Sequence, residues 1–100
     1  MKEDVFNQYV DRVLELYSIT KEELFAKSKK RYIVDARQLL YYLCFNRHIK
    51  LIIIQKFMES NGYSISHNSV THGINSVAKK LEEDRDYKSI INEIDRAVFI

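Results

Sequence analysis

The sequence contains no proline, no tryptophan, two glycines and one cysteine among its 100 residues. Because proline and glycine most often interrupt regular structure, their scarcity favours long helices over short strands joined by turns. A single cysteine excludes a disulfide within the chain, and Cys44 lies in an apolar run where a buried, reduced thiol is expected. The longest apolar run, residues 49–54, is interrupted by Lys50 and is too short to cross a membrane. With no signal-peptide pattern at the first residues, we expect a cytoplasmic protein without a membrane partner.

The length and composition indicate one ordinary globular domain over residues 1–100. A chain of 100 residues that is 46% hydrophobic and 30% charged can bury a modest core. Hydrophobic residues recur mostly at helical spacing, and a capping-box pattern begins at Thr20. We therefore predict an all-α, six-helix domain, with helices over about residues 5–17, 20–26, 34–46, 51–60, 66–83 and 87–98.

The formal net charge of +2 conceals a strong separation of charge along the chain. Residues 27–80 hold ten Lys and Arg against two Asp and Glu, whereas residues 1–26 and 81–100 each carry a charge of −3. Four of the cations fall within residues 27–31, which we call the basic segment and predict to be an exposed loop. A basic centre between acidic ends is typical of a protein that holds an anionic partner on one surface.

Residues 66–74 carry the strongest functional signal. Val70, Ile74 and Val77 recur at helical spacing and predict a face that packs into the core. The polar residues at the start of the same helix are His67, Asn68, Thr71 and His72. None is acidic, and a helix N-terminus attracts phosphate, so this helix suits the DNA major groove, where base edges are read.

The helices over 51–60 and 66–83 follow each other in the order of a helix-turn-helix, whose second helix reads DNA. Their connection is longer than a tight turn, so the order of elements is weak evidence by itself. The basic segment and the pair Arg37 and Gln38 on the preceding helix strengthen it, because such side chains can contact phosphates.

Three stretches, in the same order, resemble the C-terminal DNA-binding domain (domain IV) of the DnaA replication initiator family. Residues 17–31 are similar to that family's Y-x-I/V…L-x-S-K-x-R pattern. Residues 31–43, with Ala36-Arg37-Gln38, resemble its R…A-R-Q helix, and residues 67–74 resemble its D-H-S/T-T-V-x-H-A signature. The resemblance covers about residues 5–81, with a further C-terminal helix at 87–98.

The resemblance implies a DnaA-like six-helix fold that binds duplex DNA and acts in replication initiation or its regulation. In that family the recognition helix enters the major groove and the basic loop reaches an adjacent minor groove. The DNA-contacting residues implied for this chain are Lys29, Lys30, Arg31, Arg37, Gln38, Ser66, His67, Asn68, Ser69, Thr71 and His72. Arg37 and Gln38 correspond to the pair that grips the DNA backbone.

The sequence departs from the family pattern at several positions. Ser66 replaces the acidic residue before the first histidine, and Asn68 replaces a hydroxyl residue; asparagine can pair with adenine. Residues 59–65 replace the family's Gly-Gly-containing turn with a longer one, and together these departures leave the DNA target sequence open. The chain also has no glycine-rich phosphate loop, so neither an ATPase nor a nucleotide cofactor is expected. We therefore expect a stand-alone DNA-binding domain, of the kind a phage or mobile element carries, or one excised from an initiator.

Two other functions fit the same residues. A protein-interaction module that modulates a host replication initiator is suggested by the acidic ends and by the apolar residues 97–100, expected to be exposed. A transcription regulator would use the same DNA contacts.

Catalysis is not expected, because Ser69 and His72 lack a third group to orient the histidine. His67 and His72 are five residues apart, a poor spacing for a metal pair, so no metal is expected.

Overall fold

The computed structural model describes residues 1–98, and within them the chain forms six α-helices and no strand. The helices are α1 (Lys2–Tyr17), α2 (Lys21–Leu24), α3 (Arg31–Asn46), α4 (Leu51–Ser60), α5 (His67–Glu83) and α6 (Arg85–Ala97). The all-α, six-helix architecture predicted from periodicity is therefore confirmed.

Helix α3 forms the centre of the domain. It packs against α1 on one side and α5 on another, and α2 and α4 also contact it. Leu39, Leu40 and Leu43 of this helix are fully buried, together with Cys44. All six helices contribute to one hydrophobic core around it. A radius of gyration of 12.3 Å is close to the value of about 13 Å expected for a folded chain of this length.

Side-chain caps fix the starts of three helices. Thr20 and Glu23 form the expected capping box, in which each side chain accepts from the other residue's backbone N–H. Ser66 caps α5, and the carboxylate of Asp84 accepts from the N–H groups of Asp86 and Tyr87. Because Asp84 caps α6, this helix begins at Arg85, two residues before its predicted start.

The starts of two helices in the N-terminal half of the chain differ from their predicted positions. Helix α1 begins at Lys2 rather than at residue 5, and Glu3 and Asp4 lie favourably in its first turn. Arg31 is the first residue of α3 rather than part of the loop, because the carbonyl of Lys30 accepts from the N–H groups of Ile33 and Val34.

The connection between α4 and α5, residues 61–66, is held to α4 by side-chain hydrogen bonds. Gly62 adopts a φ of 89°, a left-handed conformation that glycine accommodates without strain. The amide of Asn61 donates to the carbonyl of Phe57 at 2.8 Å, and the amide of Gln55 donates to the carbonyl of Ile65 at 3.0 Å. These bonds fix the direction in which the chain enters α5.

Polar contacts attach α6 to the rest of the domain. The hydroxyl of Tyr9 donates to a carboxylate oxygen of Asp95 at 2.6 Å, and Arg47 donates to the carbonyl of Asp95 at 3.2 Å. Desolvation by burial, with the Asp95 hydrogen bond second, raises the pKa of Tyr9 well above its usual range.

The prediction of an exposed apolar C-terminus is wrong at Val98, which is 5% exposed and belongs to the core. Residues 99 and 100, also part of that prediction, lie outside the described residues. Two large side chains, those of Ile52 and Tyr32, are 53% and 43% exposed. Among residues 1–98, none of the helices has both the length and the hydropathy needed to cross a lipid bilayer.

Candidate nucleic-acid interface

The basic segment lies on the surface as an irregular stretch that leads into α3. Lys29 and Lys30 are exposed, and the Ser28 hydroxyl accepts from the N–H of Lys30 at 3.2 Å. The Arg31 side chain is 78% exposed and pairs with Asp35 at 3.3 Å. The three cations of this segment that are predicted to contact DNA can therefore all reach a ligand in solvent.

Arg37 does not occupy the position expected of a phosphate contact. Only 4% of the residue is exposed. Its guanidinium donates to the carbonyls of Leu24 at 2.8 Å and Ser28 at 2.9 Å, and also to the carbonyl of Ala26. The prediction that Arg37 grips the DNA backbone is corrected: its donors bind carbonyls from the end of α2 to Ser28 in the basic segment, where the chain has left the helix and these carbonyls need a partner.

Gln38, the other member of the predicted pair, is half-buried on α3. Its amide oxygen is shielded from solvent, and no partner for it exists among residues 1–98. Gln38 packs against Gly73 of α5, where an added Cβ would lie 3.1 Å from its Cγ, rather than pointing into open solvent.

The first two turns of α5 present an exposed polar surface. His67, Asn68 and His72 are exposed, and the first turn contains no acidic residue. Val70, between them, is fully buried and anchors the helix in the core. These three side chains are consequently the free hydrogen-bonding groups that the helix can direct towards a partner.

The hydroxyl residues at the start of α5 are engaged in local hydrogen bonds. The Ser66 hydroxyl accepts from the N–H of Ser69 at 3.1 Å and lies 2.9 Å from its hydroxyl. Thr71 is half-buried and donates to the carbonyl of His67 at 3.1 Å. Ser66 is therefore first of all a helix cap, a role that a serine fills as well as the aspartate of the resembled pattern.

A cavity of about 360 Å³ joins the basic segment, α3 and the start of α5. We call it the α3–α5 cavity. Its lining residues are Ser28, Lys29, Val34, Arg37, Gln38, Tyr41, Tyr63, Ile65, Asn68, Ser69 and His72. Lys29 thus lies on the same face as Asn68 and His72, so the structure brings together the predicted cations and the predicted reading helix.

Among residues 1–98, no acidic residue lines the α3–α5 cavity or lies in the first turn of α5, so the charges there favour an anion. Asp35 is shared by two cations, Arg31 and Lys80, each 3.3 Å from the same carboxylate oxygen. The partial positive charge of the α5 N-terminus adds to that of the lysines. Within the described residues, no group of three or more His, Cys, Asp and Glu side chains could hold a metal ion.

The aromatic wall of the cavity contains no residue that was predicted to contact DNA. Tyr41 is 2% exposed and Tyr63 is half-buried, with the Arg37 guanidinium 4.5 Å from the centre of the Tyr63 ring. The spacing of Arg37, Gln38 and Tyr41 places them near one face of α3, which was the only sequence signal for this wall. No known family model matches the chain.

Proposed function

We propose that this chain binds double-stranded DNA in a sequence-specific manner, as a DnaA-like domain acting in replication initiation or its regulation. The observation that supports it most is the position of Lys29 beside Asn68 and His72 at one cavity. Phosphate contacts from the basic segment would position α5, and the exposed side chains of its first turns would read base edges.

The role of each side chain in DNA binding is inferred from its exposure. Lys29, Lys30 and Arg31 lie outside the core and supply the electrostatic attraction. His67 and Asn68 then occupy the leading end of α5, where a recognition helix meets the groove. Asn68 can form two hydrogen bonds with an adenine edge.

A salt titration tests the electrostatic part. If about five of the central cations neutralise phosphates, log K should fall with log salt at a slope of roughly −4 to −5. Fluorescence anisotropy on duplexes enriched from a random pool gives this slope and the target sequence together. The absence of binding to any duplex at low salt would contradict the proposal.

Substitutions in α5 test the reading part. Asn68→Ala should cost about 1–3 kcal/mol on the selected site and relax its base preference. Asn92→Ala, the same change at an exposed position of α6, is the matched control and should leave both unchanged. Lys29→Ala should weaken binding to all sequences alike and reduce the salt slope by about one.

A protein-interaction module is the second candidate, and the exposed apolar side chains Phe45 and Ile52 favour it. They are 47% and 53% exposed near the end of α3 and the start of α4. Such a module would form a stable complex with a replication protein and ignore DNA; light scattering of the mixture distinguishes the two. A transcription regulator would bind DNA through the same residues, so the genomic position of the selected site separates it from replication control.

A further inference from the structure

Two polar atoms of residues that line the α3–α5 cavity are shielded from solvent and have no hydrogen-bond partner among residues 1–98. They are the Tyr41 hydroxyl and the amide oxygen of Gln38. Tyr41 is 2% exposed, and both residues line the cavity. An unpaired buried polar group is costly, so native proteins generally provide a partner for it. These atoms therefore point to a ligand that hydrogen-bonds within the cavity.

The cavity wall is fixed in position by packing. A Cβ atom at Gly73 would lie 2.9 Å from Cδ2 of Tyr41, so the Tyr41 ring can lie against α5 only because residue 73 is a glycine. The Arg37 guanidinium, itself held by loop carbonyls, covers the Tyr63 ring. A ligand would meet a wall that is largely formed, and small rotations of the Gln38 and Tyr41 side chains would expose the two shielded atoms to it.

The chemistry of the cavity selects a planar heterocycle over a bare anion. A volume of about 360 Å³ suits one small molecule or one nucleotide. Val34, Ile65 and two tyrosine rings give apolar walls. A phosphate oxygen only accepts hydrogen bonds, so it cannot satisfy the Gln38 amide oxygen, whereas the edge of a base offers donors and acceptors. An adenine edge, with its N6 donor and N7 acceptor, matches a glutamine amide.

We propose that the α3–α5 cavity binds one unpaired nucleobase, adenine by preference, through the Gln38 amide and the Tyr41 hydroxyl, with Lys29 near the phosphate of the same nucleotide. This inference extends the proposed DNA binding and rests on it for the source of the base. An extruded or unpaired base of DNA and a free mononucleotide offer the same chemistry. Extrusion costs least where the base is already unpaired, so the domain would favour locally opened duplex.

The first experiment compares two labelled duplexes by fluorescence anisotropy, one with a single bulged adenine and one with an abasic bulge at the same position. Both duplexes have the same phosphate backbone, so the ratio of their dissociation constants measures the contribution of the base alone. We expect the adenine bulge to bind about tenfold more tightly. Tyr41→Phe removes only the hydroxyl and should reduce this ratio several-fold, and Gln38→Leu should remove most of it. Tyr42→Phe, a neighbouring half-buried tyrosine outside the cavity, is the control and should keep the ratio.

The second experiment uses adenosine monophosphate, thymidine monophosphate and inorganic phosphate as soluble probes in NMR titrations. Shifts at Gln38 and Tyr41 with adenosine monophosphate alone support the proposal, and the bulged-duplex ratio then tells whether DNA is the source. Equal binding of inorganic phosphate overturns it.

The two proposals can fail separately. Tight duplex binding with equal affinity for the two bulges and no response to adenosine monophosphate eliminates the base site and leaves the DNA-binding proposal standing. Binding of adenosine monophosphate without any duplex binding eliminates the DNA-binding proposal and leaves the base site standing.

Discussion

Replacing Arg37 with methionine tests whether this residue supports the fold or contacts DNA. Methionine approximates the length of the side chain and removes every donor. Three carbonyls, those of Leu24, Ala26 and Ser28, lose their charged partner. A hydrogen bond to a charged group contributes about 1.5–3 kcal/mol, but two of these contacts are only partly buried and water can replace them. We therefore expect a loss of about 2–4 kcal/mol from a total stability on the order of 5–15 kcal/mol.

Urea unfolding followed by circular dichroism measures this loss as a lower midpoint at unchanged slope. Lys27→Met removes one positive charge from an exposed position of the basic segment and is the matched control; it should change the free energy of unfolding by less than about 0.5 kcal/mol. A methionine variant as stable as the wild type that no longer binds duplex DNA would refute the reasoning, because it would make Arg37 a ligand contact.

Three further predictions follow from packing and titration. Gly73→Ala should lower the thermal midpoint, because overpacking against Tyr41 costs about 1–3 kcal/mol and the gain in helix propensity is only about 1 kcal/mol; a raised midpoint would mean that the ring moves freely. Cys44 is fully buried and burial raises the pKa of its thiol, so a disulfide reagent should label it only as fast as the protein unfolds, whereas rapid native labelling would contradict the core assignment. Burial and the Asp95 hydrogen bond raise the pKa of Tyr9 in the folded state, so its contribution is complete below about pH 10 and is lost as the pH rises further. The Tyr9→Phe variant should have a lower free energy of unfolding than the wild type at neutral pH, and this free energy should fall less steeply above about pH 10 in urea titrations. An equally steep fall would show that the pKa of Tyr9 does not change on folding.

The helical architecture could be predicted from the sequence because its signals are local. The predicted cap at Thr20 acts within one turn, and the apolar spacing of α3 and α5 needs no partner to be recognised. The exposed side chains His67, Asn68 and His72 followed from the same spacing. Their role on DNA remains a prediction.

The position of Arg37 could not be predicted, because it depends on carbonyls of another segment. An arginine on an amphipathic helix is usually exposed, and nothing local shows that three loop carbonyls converge on its guanidinium. The cavity wall has the same origin. Tyr41 and Gln38 face α5 only because α3 and α5 approach closely at Gly73, and this approach is a property of the packed pair.

The central position of α3 sets a geometric limit on any duplex ligand. Helix α3 carries both the contact of Arg37 to Ser28 in the basic segment and the contact of Asp35 to Lys80 of α5, so the lysine-bearing loop and α5 are attached to the same helix. If duplex DNA is the ligand, we therefore expect the domain to favour sequences whose groove width already matches the separation between the basic segment and the start of α5. Sequences that must be deformed to fit would bind more weakly.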